Sequence, residues 1–511
     1  MRKILKVLHS RYALAAFCIA LEFAQIMAVF ILLYKYFLPI TVLGVIFHVV
    51  VLLYIINRDE IPEFKLPWLI LLSMLPVIGA FVFMLLSSTE SSKQLKKEFD
   101  NACQRIRPYW QDSECMERLE EDDMDAFSQV HYLHRATGMC CYGSRNVTYY
   151  KIGEEFHQAL LKELEQAEKY ILMEYFIIQD GRMWAPIHEI LKKKAAQGIA
   201  VYLMYDDFGC MATLPERYYK QMEGEGIHCI PANKFTPVLS NIHNNRDHRK
   251  ITVIDGKVGF TGGINLADEY INAVDKYGHW KDTAVKIEGE AVKKLTALFW
   301  LFWNVQSKKP MDYEFAWYID KSLHGEKEEG VVMPYGDGPE TFYSESIGKN
   351  VYLNMINAAK KYLYITTPYL ICDHELMTAL RLAAKKGVDV RIITPHIPDK
   401  KTIFLMTRSS YQRLILDGIK IYEYTPGFIH AKNFVSDDKF AVCGTINLDY
   451  RSLVHHYECG IWMYHVECIK DMKEDFEETL KQSGQIDEAR AKLKGWERLL
   501  AEVMKVFSPL L

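Results

Sequence analysis

Apolar residues dominate the N-terminal part of the chain. Residues 1–86 carry only 11 charged side chains. Three nearly unbroken apolar windows lie among those charges, at residues 12–34, 36–57 and 66–89. Each window is long enough for a helix that crosses a hydrocarbon core, which takes about 20 residues. Because the windows lack the polar stripe of a surface helix, they predict an N-terminal transmembrane helical region over residues 1–88 rather than core helices of a soluble domain.

The charges that flank this region bear on its orientation. Basic residues cluster in residues 2–11 and again in residues 93–107. Lys and Arg favour the cytoplasmic side, and three full crossings cannot place both clusters there. One window is therefore expected to be re-entrant or interfacial. The 11 cysteines show no CxxC spacing, which favours reduced thiols, so we expect a multi-pass membrane protein whose globular part lies in the cytoplasm.

A polar connector and a repeat follow the apolar region. The connector spans residues 89–146, and its acidic run from Glu117 to Asp125 is typical of a solvated helix face. From residue 147 the sequence repeats at a nearly constant offset. The paired features are a strand-like run (Tyr170–Ile178 and Tyr362–Leu370), a Lys-rich helix closed by glycine (Gly198 and Gly387), and a later glycine turn (Gly226 and Gly418).

Alternation of strands and helices within each repeat predicts an α/β sheet in each half. A glycine after a Lys-rich last turn is a helix C-cap signature, which supports the helix boundaries. We place the first half at residues 147–330 and the second at residues 331–511, the latter ending in a C-terminal helix. The fold class is thus α/β, with two duplicated α/β/α halves that form one catalytic unit.

Both halves end in the same constellation of polar residues. The first is HRKITVID, followed by GGIN, and the second is HAKNFVSD, followed by GTIN. The candidate catalytic residues are His248, Lys250 and Asp255 in the first half and His430, Lys432 and Asp437 in the second, with Asn265 and Asn447 as candidate phosphate-binding residues. One HxKxxxxD string is a weak signal, but two copies with a matching tail inside matched repeats are a strong one.

The spacing has a geometric meaning. On a strand, residues i and i+2 point to one face, so His248 and Lys250 project together. An Asp-Gly turn at Asp255 returns the chain as a second strand, whose glycines bring Asn265 back towards that pair. If the two halves pack face to face, one cleft receives two histidines, two lysines and two asparagines.

These residue types suit a phosphodiester. Lysine and asparagine donors hold the non-bridging oxygens and stabilise charge that develops at phosphorus. One imidazole can attack phosphorus to form a phosphohistidine, while the other protonates the departing alkoxide. Since the lysines supply the positive charge, neither a metal nor another cofactor is expected.

The motifs resemble those of the phospholipase D superfamily, and the architecture is similar to that of the bacterial cardiolipin synthases. The likeness extends over nearly the whole chain, through PEFKLPWLILLSMLPVIGAF, both motifs, GDGPE, NLDYRS and the terminal FSPLL. The family commonly has two membrane spans, so a third apolar window departs from it.

The resemblance also implies individual roles. His248 would be the nucleophile and His430 the acid/base. An acidic residue downstream of each motif would steady that motif's histidine, here Asp282 and Glu458, with a surface or structural carboxylate as the alternative. The aspartates Asp255 and Asp437 are expected to support the turn rather than contact phosphate.

Three functions follow in order of preference. The first is a bacterial cell-membrane phosphatidyltransferase that makes cardiolipin and glycerol from two phosphatidylglycerol molecules, and that acts on membrane phospholipids. The second is hydrolysis of phospholipid or nucleic acid at the same site. The third is a non-catalytic membrane scaffold. Nucleic acid is not expected as a partner, because the chain has a net charge of −4 and no basic track is evident.

Two apolar segments remain open to two interpretations. The aromatic run at residues 299–303 is typical of a core, although it could face acyl chains. The amphipathic C-terminal stretch at residues 489–507 suits either a membrane surface or docking against the catalytic region.

Overall fold

The structure is a computed structural model, which describes most of the chain. The described residues are 19–28, 38–59, 61–86, 90–106, 114–144, 146–234, 245–307, 309, 311, 330–339 and 342–508. They divide into two compact units. One contains the N-terminal residues as far as 86 and the C-terminal residues from Val503, and the other contains most of the rest.

The N-terminal unit is helical. Residues 19–28 form a helix, and α1 (Leu38–Asn57), α2 (Pro62–Met74) and α3 (Pro76–Leu86) follow. A small apolar core joins these three helices and contains Val51, Ile55, Leu72, Ala80 and Phe83. Counting only residues whose side chains the structure describes, which in α1 begin at Val42, no helix is both long and apolar enough to cross a membrane.

The third apolar window does not form one helix. It breaks at Leu75, before Pro76, because proline cannot continue the hydrogen-bond ladder of the preceding turns. A Cβ on Gly79 would lie 3.0 Å from the carbonyl oxygen of Leu71, so glycine permits the close return of α3 along α2. The first window lies largely outside the described residues, and the crossings as a set stay a prediction.

The connector is packed rather than merely solvated. It forms α4 (Glu90–Ile106), α5 (Glu114–Asp122) and α6 (Met124–Thr137), and Leu119, Val130 and Leu133 are buried. Its acidic run also binds the second half: Tyr464 donates to Asp122 over 2.8 Å, and Lys439 pairs with Asp123. The expectation of a solvated face therefore fails for these two carboxylates, which have partners across the interface.

The first half contains a seven-stranded sheet. Its spatial order is β2 (Val147–Tyr150), β9 (Ala284–Glu288), β7 (Val258–Gly262), β6 (Lys250–Ile254), β3 (Tyr170–Tyr175), β4 (Ala200–Asp206) and β5 (His228–Ala232). Strands β3, β4 and β5 are parallel and the other pairs are antiparallel. The helices of this half are α7 (Gly153–Glu165), α8 (Trp184–Ala196), α9 (Tyr218–Gly224) and α10 (Val292–Gln306).

The second half contains a nine-stranded sheet. Its order is β1 (Tyr142–Ser144), β10 (Gly330–Asp337), β17 (Glu458–Tyr464), β16 (Phe440–Gly444), β15 (Asn433–Ser436), β11 (Tyr362–Thr366), β12 (Asp389–Pro395), β13 (Lys420–Tyr424) and β18 (Ser483–Ile486). The helices are α11 (Ile347–Ala358), α12 (His374–Lys385), α13 (Lys401–Leu416), α14 (Cys468–Lys481), α15 (Glu488–Ala491) and α16 (Gly495–Phe507).

The duplication predicted from the sequence is confirmed. The order β9-β7-β6-β3-β4-β5 in the first sheet matches β17-β16-β15-β11-β12-β13 in the second. The closing glycines of the matched helices adopt left-handed backbone, with φ of 85° at Gly198 and 93° at Gly387. Strand β1 comes from the connector, so the second sheet also recruits residues that precede the repeat.

Short parallel pairings join the halves. Strands β8 (His279–Lys281) and β14 (Gly427–Ile429) form a two-stranded sheet, and Asp247 forms an isolated bridge with Tyr457. The aromatic run at residues 299–303 lies in α10 and is buried, as expected of a core segment. Its Phe302 ring lies 4.3 Å from the guanidinium carbon of Arg249, beside the first motif.

Candidate active site

The motif histidines and lysines occupy equivalent places in the two halves. His248 lies two residues before Lys250, the first residue of β6, and His430 follows β14 and precedes Lys432. All four side chains are buried. Lys250 Nζ donates to the His248 carbonyl oxygen over 2.5 Å, and Lys432 makes the same contact with His430. Each lysine is thus held against the backbone carbonyl of the histidine two residues before it, although neither histidine lies within a strand.

Each histidine is held by a carboxylate from the other half. His248 Nδ1 lies 2.9 and 3.0 Å from the two carboxylate oxygens of Glu458. His430 Nδ1 lies 2.6 Å from Asp282 Oδ2. The expected carboxylates are therefore the ones found, and because each uses Nδ1, the Nε2 atom of each ring is left for chemistry.

The assignment of each carboxylate to its own motif is wrong. Asp282 follows β8, and pairing of β8 with β14 carries it to His430 rather than His248. The bridge between Asp247 and Tyr457 carries Glu458 to His248 in the same way. The site is consequently shared, and neither half holds a complete histidine–carboxylate pair.

The motif aspartates act on the backbone. Asp255 accepts hydrogen bonds of 2.7–2.9 Å from the amides of residues 168–170, at the start of β3. Asp437 accepts equivalent bonds of 2.7–2.9 Å from residues 360–362, at the start of β11. Both have positive φ, 54° and 57°, as turn residues. They support the turn and lie at the end of the strand away from the lysines.

The two motif asparagines differ in their hydrogen bonds. Asn265 is buried, its Oδ1 accepts from the Ile177 amide over 3.1 Å, and its Nδ2 donates to the Tyr270 hydroxyl over 2.6 Å. Asn447 is also buried, and within the described part of the chain its Oδ1 has no hydrogen-bond partner. Phosphate binding by either asparagine stays a prediction.

Both histidines are buried beside lysines, and this environment lowers the pKa of each ring. Burial and the positive charge of Lys250 lower the pKa of His248 to about 3, although Glu458 works in the opposite direction. Burial, Lys432 and Lys250 lower the pKa of His430 well below its usual value. Since Lys250 in the first half affects His430 in the second, the two motifs share one electrostatic site.

The carboxylates and lysines are also perturbed. Burial raises the pKa of Asp282 to about 7. Burial would raise that of Glu458 as well, but attraction to His248 and hydrogen bonding bring the pKa of Glu458 below its usual range. Burial lowers the pKa of Lys250 to about 8 and that of Lys432 to about 7. Such shifts are typical of catalytic clusters.

Sequence reasoning missed several residues around these groups. Thr445 and Ser452 hydroxyls donate to Glu458, the latter over 2.7 Å. His456 Nδ1 lies 3.7 Å from Glu458 Oε1. Trp280 lies 5.5 Å, ring to ring, from His430. Their positions next to the expected carboxylates and asparagines were a signal, but spacing alone does not show which of them face the site.

A metal has one candidate ligand set among the described residues. Ligand atoms of His248, His456 and Glu458 lie within 4.8 Å of one another. Glu458 already accepts hydrogen bonds from His248 and two hydroxyls, and the charges of Lys250 and Lys432 oppose a divalent cation. The arrangement suits binding of an anion better than binding of a metal.

Comparison with known protein families and sequences gives matches that share one description, cardiolipin synthase. A model of the family described as "Cardiolipin synthase, PLD-like domain" matches residues 160–303 and 352–480. A cardiolipin synthase of Halalkalibacterium halodurans is 32% identical over 90% of this chain and 91% of its own length. Cardiolipin synthase 2 of Bacillus anthracis is 33% identical over 88% of this chain and 87% of its own.

Two further relatives add less about function. An uncharacterised protein of Streptococcus mutans is 43% identical over 90% of this chain and 99% of its own length. Among solved structures, phosphatidylserine synthase of Haemophilus influenzae aligns with a TM-score of 0.57, covering 75% of this chain and 97% of that one. Its sequence identity is 13%, so this likeness shows the fold alone.

Proposed function

Because the chain belongs to the cardiolipin synthase family with phospholipase D-like domains, we propose that it makes cardiolipin and glycerol from two phosphatidylglycerol molecules. The observation that carries the proposal is the convergence of two crossed histidine–carboxylate pairs with two buried lysines. This set serves a double displacement at phosphorus, in which two imidazoles take complementary roles.

In the first displacement, His248 Nε2 attacks the phosphorus of one phosphatidylglycerol. A bond forms between nitrogen and phosphorus, and the bond from phosphorus to the glycerol headgroup oxygen breaks. His430 in its protonated form gives a proton to that oxygen, so glycerol leaves. The negative phosphodiester raises the pKa of His430 when it binds, which offsets the lowering caused by burial and the lysines.

In the second displacement, His430 is neutral and accepts a proton from a headgroup hydroxyl of a second phosphatidylglycerol. The hydroxyl oxygen attacks phosphorus, and the bond to His248 breaks. The product is cardiolipin, and both histidines return to their starting states. Throughout, Lys250 and Lys432 stabilise the negative charge that develops on the phosphoryl oxygens. Asp255 and Asp437 keep the strands in place and do not touch the phosphate.

Product analysis tests the reaction. The purified full chain, in vesicles that contain labelled phosphatidylglycerol, is expected to release cardiolipin and glycerol in equal amounts. His248→Ala and His430→Ala should abolish both products while the fold is retained. Release of phosphatidic acid alone would mean that water is the acceptor, and it would contradict a synthase.

Membrane attachment is part of the proposal. Its support is apolar side chains exposed on two helices. Those on α16 form one stripe: Trp496, Leu499, Leu500, Val503 and Phe507. Those on α1 include Val42, Leu43, Val45, Ile46, Val50 and Leu53. Exposed apolar stripes with a tryptophan suit the boundary of a lipid bilayer, where the substrate lies.

We place the catalytic halves on the cytoplasmic side of a bacterial membrane. The support is the cysteines, which show no CxxC spacing and are free wherever the structure describes them, as in a reducing compartment. A cysteine at Glu216, whose side chain is 91% exposed, tests this. An impermeant maleimide should label Glu216→Cys only after cells are permeabilised, and labelling of intact cells would contradict the orientation.

A further inference from the structure

The two halves of the site can be compared position by position. The His248 amide donates to the Tyr457 carbonyl over 2.9 Å, and the His430 amide donates to the Lys281 carbonyl over 2.7 Å. Each motif histidine therefore forms an equivalent backbone hydrogen bond with the opposite half. Tyr457 and Lys281, whose carbonyls accept these bonds, occupy equivalent positions.

The residues that flank Tyr457 and Lys281 can then be paired between the two halves. The next residues are the carboxylates Glu458 and Asp282, which are equivalent by function as well as by position. The preceding residues are His456 and Trp280. The ring of His456 lies 5.5 Å from that of His248, as the ring of Trp280 does from His430. One half thus has a third histidine where the other has a tryptophan.

The donors to the two carboxylates differ as well. Thr445 and Ser452 give hydroxyl hydrogen bonds to Glu458. Gly263 occupies the place of Thr445 in the GGIN tail, and a Cβ there would lie only 2.1 Å from Asp282 Oδ1. Asp282 fills the space that a side chain takes in the other half. Glu458 is therefore held by more side-chain donors than its counterpart.

Nδ1 of His456 faces this carboxylate. That atom is buried and has no hydrogen-bond partner in the described part of the chain, yet it lies 3.7 Å from Glu458 Oε1. That distance is too long for a hydrogen bond. Only a small movement of Glu458 would be needed to close it, and catalytic contacts often tighten in this way when substrate binds.

We propose that His456 is a positioning residue, which holds Glu458 against Nδ1 of His248 while the phosphatidyl group is on that histidine. The inference rests on the proposed function and adds a residue to it. When phosphorus bonds to Nε2, the His248 ring becomes positive, and Glu458 is its nearest negative charge. Ser452 donates to Oε1 and Thr445 to Oε2, and His456 adds a second donor on the Oε1 side.

The test measures the rate of phosphatidyl-enzyme formation by rapid quenching, with phosphorus-labelled phosphatidylglycerol and the full chain. His456→Phe removes the donor but keeps a ring, and His456→Asn keeps a donor. We expect His456→Phe to form the covalent species about tenfold more slowly, with an unchanged KM for phosphatidylglycerol. His456→Asn should recover most of the rate. His131→Asn, the same substitution at an exposed histidine on α6, is the control.

The outcomes separate three cases. A wild-type rate in His456→Phe overturns the inference. Equal losses in both variants, together with a lower unfolding temperature, also overturn it, because they assign His456 to packing alone. If the wild-type protein forms the covalent species but passes the lipid to water, the proposed synthase function fails, while the comparison of rates still decides the role of His456.

Discussion

Nδ1 of His248, in the first half of the chain, lies 2.9 Å from Oε1 of Glu458, in the second half. The reciprocal contact joins His430 to Asp282. The catalytic groups are thus assembled by the interface between the repeats. A substitution in one half is expected to disable the histidine of the other.

Asp282→Asn tests this crossing. If Asp282 serves His430, the acid that protonates the leaving group, then the rate of glycerol release from phosphatidylglycerol should fall at least about 10²-fold in the variant. The rate of p-nitrophenol release from a phosphatidyl ester of p-nitrophenol should fall far less, because that leaving group needs no proton. Glu458→Gln should release both leaving groups slowly, because it impairs the nucleophile His248. The reverse pattern in the two variants would show that each carboxylate serves its own half.

Gly263→Ala tests the space that Asp282 occupies. A Cβ at this position would lie 2.1 Å from Asp282 Oδ1, so the carboxylate must move away from His430. We expect a loss of synthesis similar to that of Asp282→Asn. Gly224→Ala is the matched control, because a Cβ there meets nothing within 4 Å. Full activity of Gly263→Ala would mean that this carboxylate position is not needed.

Asp255→Asn is expected to affect stability before chemistry. Each motif aspartate accepts three backbone hydrogen bonds. Loss of the charge should lower the free energy of unfolding by about 2–4 kcal/mol, measured by denaturant titration. The rate per folded molecule should stay near that of the wild type. A stable but inactive Asp255→Asn protein would instead give this carboxylate a direct catalytic role.

The lowered pKa values of the two lysines predict that kcat/KM depends on pH. Burial lowers the pKa of Lys250 to about 8 and that of Lys432 to about 7. As the pH rises through this range, the free enzyme loses positive charge and binds the anionic headgroup less well. The value of kcat/KM, which reports the free enzyme, should fall between about pH 7 and 9. A kcat/KM that is flat over this range would show that the lysines keep their charge.

Arg249 is expected to be essential for stability. Its guanidinium is buried, lies 2.5 Å from Glu174 and 3.0 Å from Asp247, and packs on Phe302. Arg249→Met should cost about 3–5 kcal/mol of unfolding free energy, since it leaves two buried carboxylates without their cation. Glu174→Gln with Arg249→Met should recover part of this loss. Equal stability of Arg249→Met and the wild type would contradict a structural role.

The sequence predicted the local parts of this site. The motif predicted that Lys250 lies near His248, although His248 precedes strand β6 rather than lying in it, and the Asp-Gly turn correctly predicted the return strand β7. Both follow from backbone geometry over a few residues. The repeat likewise predicted two matching sheets, because its strands and glycine turns recur in the same order.

Contacts between residues far apart in the chain could not be predicted from the spacing of residues within a motif. Assignment of Glu458 to His248 depends on how the two halves pair, through Tyr457 and the β8–β14 strands, which are more than 140 residues apart in sequence. The same is true of the connector, whose Asp122 and Asp123 bind residues far along the chain. By contrast, proline marks candidate helix breaks in the sequence, but Pro76 follows a break, while Pro67 lies inside α2.

The most direct test of the account is to locate the covalent lipid. Labelled phosphatidylglycerol is mixed with the full-length protein in vesicles, the reaction is quenched at alkaline pH where phosphohistidine survives, and the labelled peptide is sequenced. The account predicts a phosphatidyl group on His248, which disappears when unlabelled phosphatidylglycerol is added and appears as cardiolipin. A label on another residue, or cardiolipin formed with no covalent species and undiminished in His248→Ala, would contradict it.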